Sequence, residues 1–110
     1  MGSYDVVKID VLGDIELQTK NLNKGLAVYR INSNGVFYLT SDSELGRPSV
    51  DCATYTNPEV LLIGFDGIKL VEYRANIKNG RCIGLEILNP EKKWIKRNVS
   101  FVKNEQSSTV

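Results

Sequence analysis

The chain has 110 residues, 42% apolar and 25% charged, a composition that suits one domain with a modest core and lies outside the low-hydrophobicity regime of disordered chains. A net charge of +1 excludes a global field able to hold nucleic acid or an anionic membrane. The absence of histidine, with two cysteines that lack CxxC spacing, excludes the usual zinc ligand sets, and no run approaches the ~18 apolar residues of a membrane span.

Taken in order, the segments are short apolar stretches closed by glycine, asparagine or aspartate, the rhythm of strands and turns. YDVVKIDVLGD predicts a strand over 4–11 closed by Gly13-Asp14, and IELQT a second over 15–19. NLNKG, residues 21–25, reads as a loop or one helical turn. LAVYRI and VFYLT flank NSNG, where Asn34-Gly35 can supply the positive φ angles of a tight hairpin. A four-residue loop from Asn32 to Gly35 would set Tyr29 opposite Tyr38 and Val28 opposite Leu39, pairing like with like.

Residues 41–59, with Pro48 and Pro58, predict a long loop holding a short helix capped by Ser41 or Asp42 and stopped at Gly46. Such a loop would lie across an open edge of the sheet or serve as a binding loop. Beyond it, VLLIGF (60–65), IKLVEYRANI (68–77) and RCIGLEIL (81–88) form a meander with turns at Asp66-Gly67 and Lys78-Asn79-Gly80 and a break at Asn89-Pro90. Alternation sends Ile83, Leu85 and Ile87 to one face and Cys82, Gly84 and Glu86 to the other. The adjacent Leu70-Val71 predicts a β-bulge, or burial on both faces at the start of that strand. The fold class is therefore all-β: a single antiparallel meander of about eight strands curled into a half-barrel or small barrel over residues 1–103, with 104–110 a polar tail that frays.

The last strand, EKKWIKRNVSFVK, carries the lone tryptophan among five basic residues. With Ile95, Val99 and Phe101 facing the core, Lys92, Trp94 and Lys96 point outward, which sets an indole between two ammonium groups as a partner anchor. The competing placement turns Trp94 inward or under the long loop and leaves the lysines to guard an edge strand. A single-stranded nucleic-acid platform wants several stacking aromatics in a basic groove, and this strand has one tryptophan.

Charge is uneven along the chain, −3 over residues 1–59 and +4 over 60–110. Asp10, Asp14 and Glu16 cluster in sequence, as do Asp42, Glu44 and Asp51, without the flanking pattern of a glycosidase pair or a metal triad. Acid–base chemistry without histidine would need a perturbed carboxylate, lysine or cysteine, so the chain is expected to be no enzyme and to use no cofactor or metal. The N-terminal segment lacks the features of a signal peptide, which points to a cytoplasmic protein with Cys52 and Cys82 reduced and buried.

In its small size, its all-β run from IELQT to SFVK and its lack of an active-site motif, the chain resembles bacterial immunity proteins that neutralise a cognate toxin, including those of contact-dependent growth-inhibition systems. The resemblance is one of type and carries over no functional residue. It implies a 1:1 complex with a protein toxin, such as a nuclease, whose active site is occluded. The acids Asp10, Asp14, Glu16, Asp42, Glu44 and Asp51 could then meet a basic active site, with Lys92, Trp94 and Lys96 as a second contact. The alternatives are a small-barrel carrier of an apolar ligand and, behind it, a single-stranded nucleic-acid binder.

Overall fold

The computed structural model describes residues 4–13, 15–22, 27–40 and 50–97. In chain order these form β1 (Asp5–Ile9), a 3-10 turn (Asp10–Leu12), β2 (Glu16–Thr19), β3 (Val28–Ile31), β4 (Phe37–Leu39), a one-turn helix α1 (Val50–Ala53), β5 (Asn57–Asp66), β6 (Lys69–Lys78), β7 (Arg81–Leu88) and β8 (Trp94–Lys96). All eight strands join one sheet in the order β4-β3-β1-β2-β5-β6-β7-β8, which curls into a half-barrel. Among the described residues no helix is long and apolar enough to cross a membrane.

The expected all-β class and strand number hold, but the expected purely antiparallel meander does not. β1 and β3 run parallel, with Val7 beside Tyr29 and Ile9 beside Ile31. A parallel neighbour requires the chain to cross over rather than turn back, and its arrival at β3 is fixed by one side chain and one backbone bond. Asp5 is 1% exposed; its Oδ1 accepts the Ala27 N–H at 3.0 Å, while the Ala27 carbonyl accepts the Val6 N–H at 2.8 Å. β2 leaves β1 on its other side and pairs with β5 through Leu17–Gly64 and Gln18–Ile63. A Cβ at Gly64 would come within 2.5 Å of the Glu16 carbonyl oxygen, so only glycine lets these two strands approach.

The hairpin at Asn32 forms with a different register from the one expected: Tyr29 faces Leu39, Arg30 faces Tyr38 and Ile31 faces Phe37. The cause lies in the turn. Asn32 N–H donates to Val36 C=O and Gly35 N–H to Asn32 C=O, so three residues, not four, make the loop. Gly35 takes the left-handed position, φ 86°, as a three-residue hairpin requires. Asn32 Oδ1 also accepts the N–H groups of Asn34 and Val36. The shift by one residue replaces the expected Tyr29–Tyr38 pair with a diagonal stack of Tyr29 on Phe37, ring centroids 5.1 Å apart.

The second half follows its turns. β6 and β7 meet through Lys78–Arg81 with Asn79 and Gly80 both at positive φ, the backbone of an Asn-Gly hairpin turn. The irregularities fall elsewhere than Leu70-Val71, where pairing runs unbroken through Phe65–Leu70 and Gly64–Val71 and Leu70 is exposed. One register shift lies between Asn57 and Val60, where Pro58 has no N–H to give to a ladder; β5 thus begins three residues earlier than the expected VLLIGF strand. The other leaves Ile83 unpaired between Cys82 and Gly84. This bulge interrupts the expected alternation of β7: Leu85 and Ile87 face the core as expected, but ahead of the bulge Cys82 is buried and Ile83 exposed. The rest of the predicted 41–59 loop, with its proposed helix caps, lies outside the described residues up to Val50, as does the polar tail.

One face of the sheet wraps around the core. Val7, Ile9, Leu17, Tyr29, Ile31, Phe37, Val60, Leu62, Tyr73, Ala75, Ile77 and Leu85 are buried there, together with the unbridged Cys52 and Cys82. The curl brings the start of β4 onto the start of β7. Val36 bridges Arg81, Phe37 N–H donates to Gly80 C=O, Cys82 N–H donates to Gly35 C=O, and Arg81 Nη1 donates to Asn34 C=O at 3.0 Å.

Candidate functional site

The other face of the same sheet is the candidate site. In β5 the alternation that buries Val60, Leu62 and Gly64 exposes Leu61, Ile63 and Phe65, at 50%, 41% and 62% of full exposure. The register places Phe65 opposite Leu70, Ile63 opposite Glu72 and Leu61 opposite Arg74 on this outer face. Leu70 is half exposed, and Ile68 at the tip of the β5–β6 hairpin is fully exposed. Apolar side chains on both sides of a strand are expected where a second layer covers it, and among the described residues no layer does.

This apolar strip runs into a groove of about 340 Å³ lined by Tyr4, Gln18, Leu61, Ile63, Glu72 and Trp94. The floor is held by a hydrogen-bond relay at the end of β2: Asn21 Oδ1 accepts the Leu61 N–H at 2.8 Å and the Thr19 hydroxyl at 3.2 Å. Trp94 forms the far wall. It pairs with Leu88 of β7, is half-buried, and carries the Arg74 guanidinium 4.8 Å from its ring centroid. Arg74 is itself anchored, donating from Nε and Nη2 to Glu86 Oε1 at 2.6 Å, with Glu59 3.9 Å away. The Glu86 hydrogen bond holds the guanidinium above its ordinary pKa. Trp94, Arg74 and Glu86 thus form a ridge across the outer face, and a second, more polar hollow of about 270 Å³ beside Pro58, Asn76 and Lys96 lies beyond it.

The structure separates the residues that the sequence grouped as candidates. Trp94 and Lys96 stand on neighbouring outer-face rows, Lys96 exposed beside Glu86. Lys92 lies in the β7–β8 turn with φ 65°. Of the acids, Asp10 accepts a hydrogen bond from Arg30 Nε at 2.7 Å, and Glu16 lies 3.8 Å from Lys8. Each of these two charges is therefore paired with a basic neighbour. Asp51 lies in α1, while Asp14, Asp42 and Glu44 lie outside the described residues. Ile95 shares a row with Ile87 and Tyr73 on the core side yet is 47% exposed, because β8 extends past the packed interior; Val99 and Phe101 lie outside the described residues.

The apolar outer residues Leu61, Ile63, Phe65, Ile68 and Leu70 were not singled out by sequence reasoning. A signal existed: VLLIGF is apolar at both alternations, which is one face more than a single-layer sheet buries. As for chemistry, among the described residues no three of His, Cys, Asp and Glu stand together in a metal-holding group. The Cys82 thiol is buried and pushed up to about 11 by desolvation, so it is a poor nucleophile at neutral pH. Compared with family models, curated proteins and solved structures, the chain matches none.

Proposed function

We propose that the chain is a protein-binding domain that neutralises a protein toxin, the outer face of β5–β6 docking on the toxin and covering its active site in a 1:1 complex. The observation that supports this reading is the continuous apolar strip Leu61, Ile63, Phe65, Leu70 and Ile68, flanked by a tryptophan–arginine ridge. Contiguous apolar surface of this kind on a small domain marks a contact site, and aromatic and arginine side chains are the residues that most often anchor one. The β5–β6 hairpin adds the right shape for occlusion: its tip projects an exposed Ile68 between Phe65 and Leu70, a wedge suited to a cleft. Compensation of Asp10 and Glu16 by their basic neighbours moves the proposed contact away from those acids. Such an inhibitor would act in the cytoplasm of the producing cell, where the toxin must be held inactive.

Co-expression with the product of the adjacent open reading frame tests the reading. Expected is rescue of growth from a toxic product and co-purification of a 1:1 complex. Phe65→Asp and Ile68→Asp, both on solvent-facing positions and worth only about 0.5 kcal/mol or less in stability, should abolish both. Rescue that persists in the two variants would overturn the proposed surface, and a non-toxic product that does not bind would overturn the function.

A further inference from the structure

β8 is the last strand of the sheet, and its backbone is divided between two directions. The Lys93 carbonyl accepts the Asn89 N–H at 2.9 Å, and the Arg97 N–H donates to the Leu85 carbonyl at 2.7 Å. With Ile95 facing Ile87 between them, residues 93, 95 and 97 turn their backbone groups toward β7, and antiparallel geometry turns those of Trp94 and Lys96 the other way. On that side, among the described residues, no strand follows. This rim is surrounded by cations: Lys92, Lys93, Lys96 and Arg97 are all exposed, against one acid, Glu91, over residues 91–97.

Lysines on an edge strand commonly serve to repel further strands. They disfavour apolar strands, which would bury the ammonium groups unpaired, and repel copies of themselves; toward an acidic strand the same charges attract. A second feature argues for the attraction. The β7–β8 turn repeats three bonds of the β3–β4 turn: Lys92 N–H donates to Asn89 C=O, Asn89 N–H to Lys93 C=O, and Lys93 N–H to Asn89 Oδ1, as Gly35, Asn32 and Val36 do in the earlier turn. At the left-handed position the earlier turn has Gly35, φ 86°, and the later one has Lys92, φ 65°. Glycine takes that conformation without strain and lysine does not. A cation thus stands where local backbone physics favours glycine, which is the pattern of a residue kept for contact rather than for folding.

We propose that β8 accepts an extended, acidic segment of the partner protein as an added strand, its backbone bonding to Trp94 and Lys96 and its carboxylates meeting Lys92, Lys93 and Lys96. This is strand addition, in which main-chain bonds supply affinity and the flanking side chains supply selectivity. It rests on the reading of the chain as a protein-binding domain, and assigns that partner a second point of attachment beside the apolar face.

The probe is a synthetic peptide of about twelve residues repeating Glu-Glu-Thr-Thr, which sets carboxylates on both faces of an extended strand and so can reach Lys93 on one face and Lys96 on the other, titrated by calorimetry while the emission of Trp94, the lone tryptophan, locates the contact. Saturable 1:1 binding with a change in Trp94 emission is expected. Lys93→Glu/Lys96→Glu should weaken it by about tenfold or more, and so should N-methylation of alternate peptide amides, which keeps the charge and removes strand hydrogen bonds. Lys92→Gly should bind more weakly although the protein becomes more stable, a combination that a purely structural lysine would not give. Phe65→Asp should leave peptide binding unchanged, so the outcome is independent of the apolar face. Absence of binding, equal binding of the N-methylated peptide, or equally tight binding of an oligothymidylate of the same charge would each overturn the proposal.

Discussion

Burial of Cys82 near the start of β7 raises its thiol to about 11 from an ordinary 9.0, desolvation outweighing a backbone hydrogen bond at Gly84 that pulls the other way. The native state therefore holds this proton more tightly than the unfolded chain. The stability it contributes is complete below pH 9 and is lost as pH rises through 11. At ~1.4 kcal/mol per unit the loss is about 2 to 3 kcal/mol. Urea denaturation of the wild type and of Cys82→Ala should show the wild type losing about 2 kcal/mol more between those pH values; parallel pH dependences would mean that the thiol meets water. Single residues also show what the sequence could and could not disclose about the site. Alternation along β8 offered the outward placement of Trp94 but left the inward one open. It gave no sign of the partner Arg74, because the two meet only through the pairing of three strands. Asp10 and Glu16, close in sequence, suggested a shared acidic surface, yet each met a cation on another strand, a relation that no local pattern encodes.

Among the elements, the parallel β1–β3 pair depends most on one side chain. Asp5 is buried and binds the N–H of Ala27 just before β3 begins. Asp5→Ala leaves that donor without its acceptor, and should lower stability by about 1 to 3 kcal/mol, whereas Asp5→Asn keeps a carbonyl oxygen and should lower it less. Chemical denaturation of the two variants measures the difference, and equal losses would mean that the carboxylate charge, not the bond, secures the crossing. The hairpins were readable because their determinants are local: Asn79-Gly80 and Asp66-Gly67 fix both the turn and the pairing that follows it. The β3–β4 register was misjudged by one residue because the Asn32 side chain draws Val36 into the turn, and sequence similarity across strands favoured the alternative. The position of the β7 bulge was equally hidden. RCIGLEIL reads as an even alternation, and only the need to bury both Cys82 and Leu85 against β6 interrupts it.

For the molecule as a whole, the all-β class and the strand number were legible from turn residues and short apolar runs, while the mixed order of the sheet was not, since β1–β3 and β2–β5 join segments with no turn between them. The contact of β4 with β7 belongs with these. Arg81 spans it by donating to the Asn34 carbonyl, and Arg81→Ala should lower stability by about 1 kcal/mol, read from the denaturation midpoint; an unchanged midpoint would assign the join to the backbone bonds alone.

That join has a kinetic side. Asn34 and Arg81 are 47 positions apart, so the unfolded chain must gather a long, floppy loop before any bond there can form, and the entropy of doing so comes first. The β5–β6 and β6–β7 hairpins can zip within microseconds. Arrival at the finished shell must wait for the slower search that brings the two ends of that loop together.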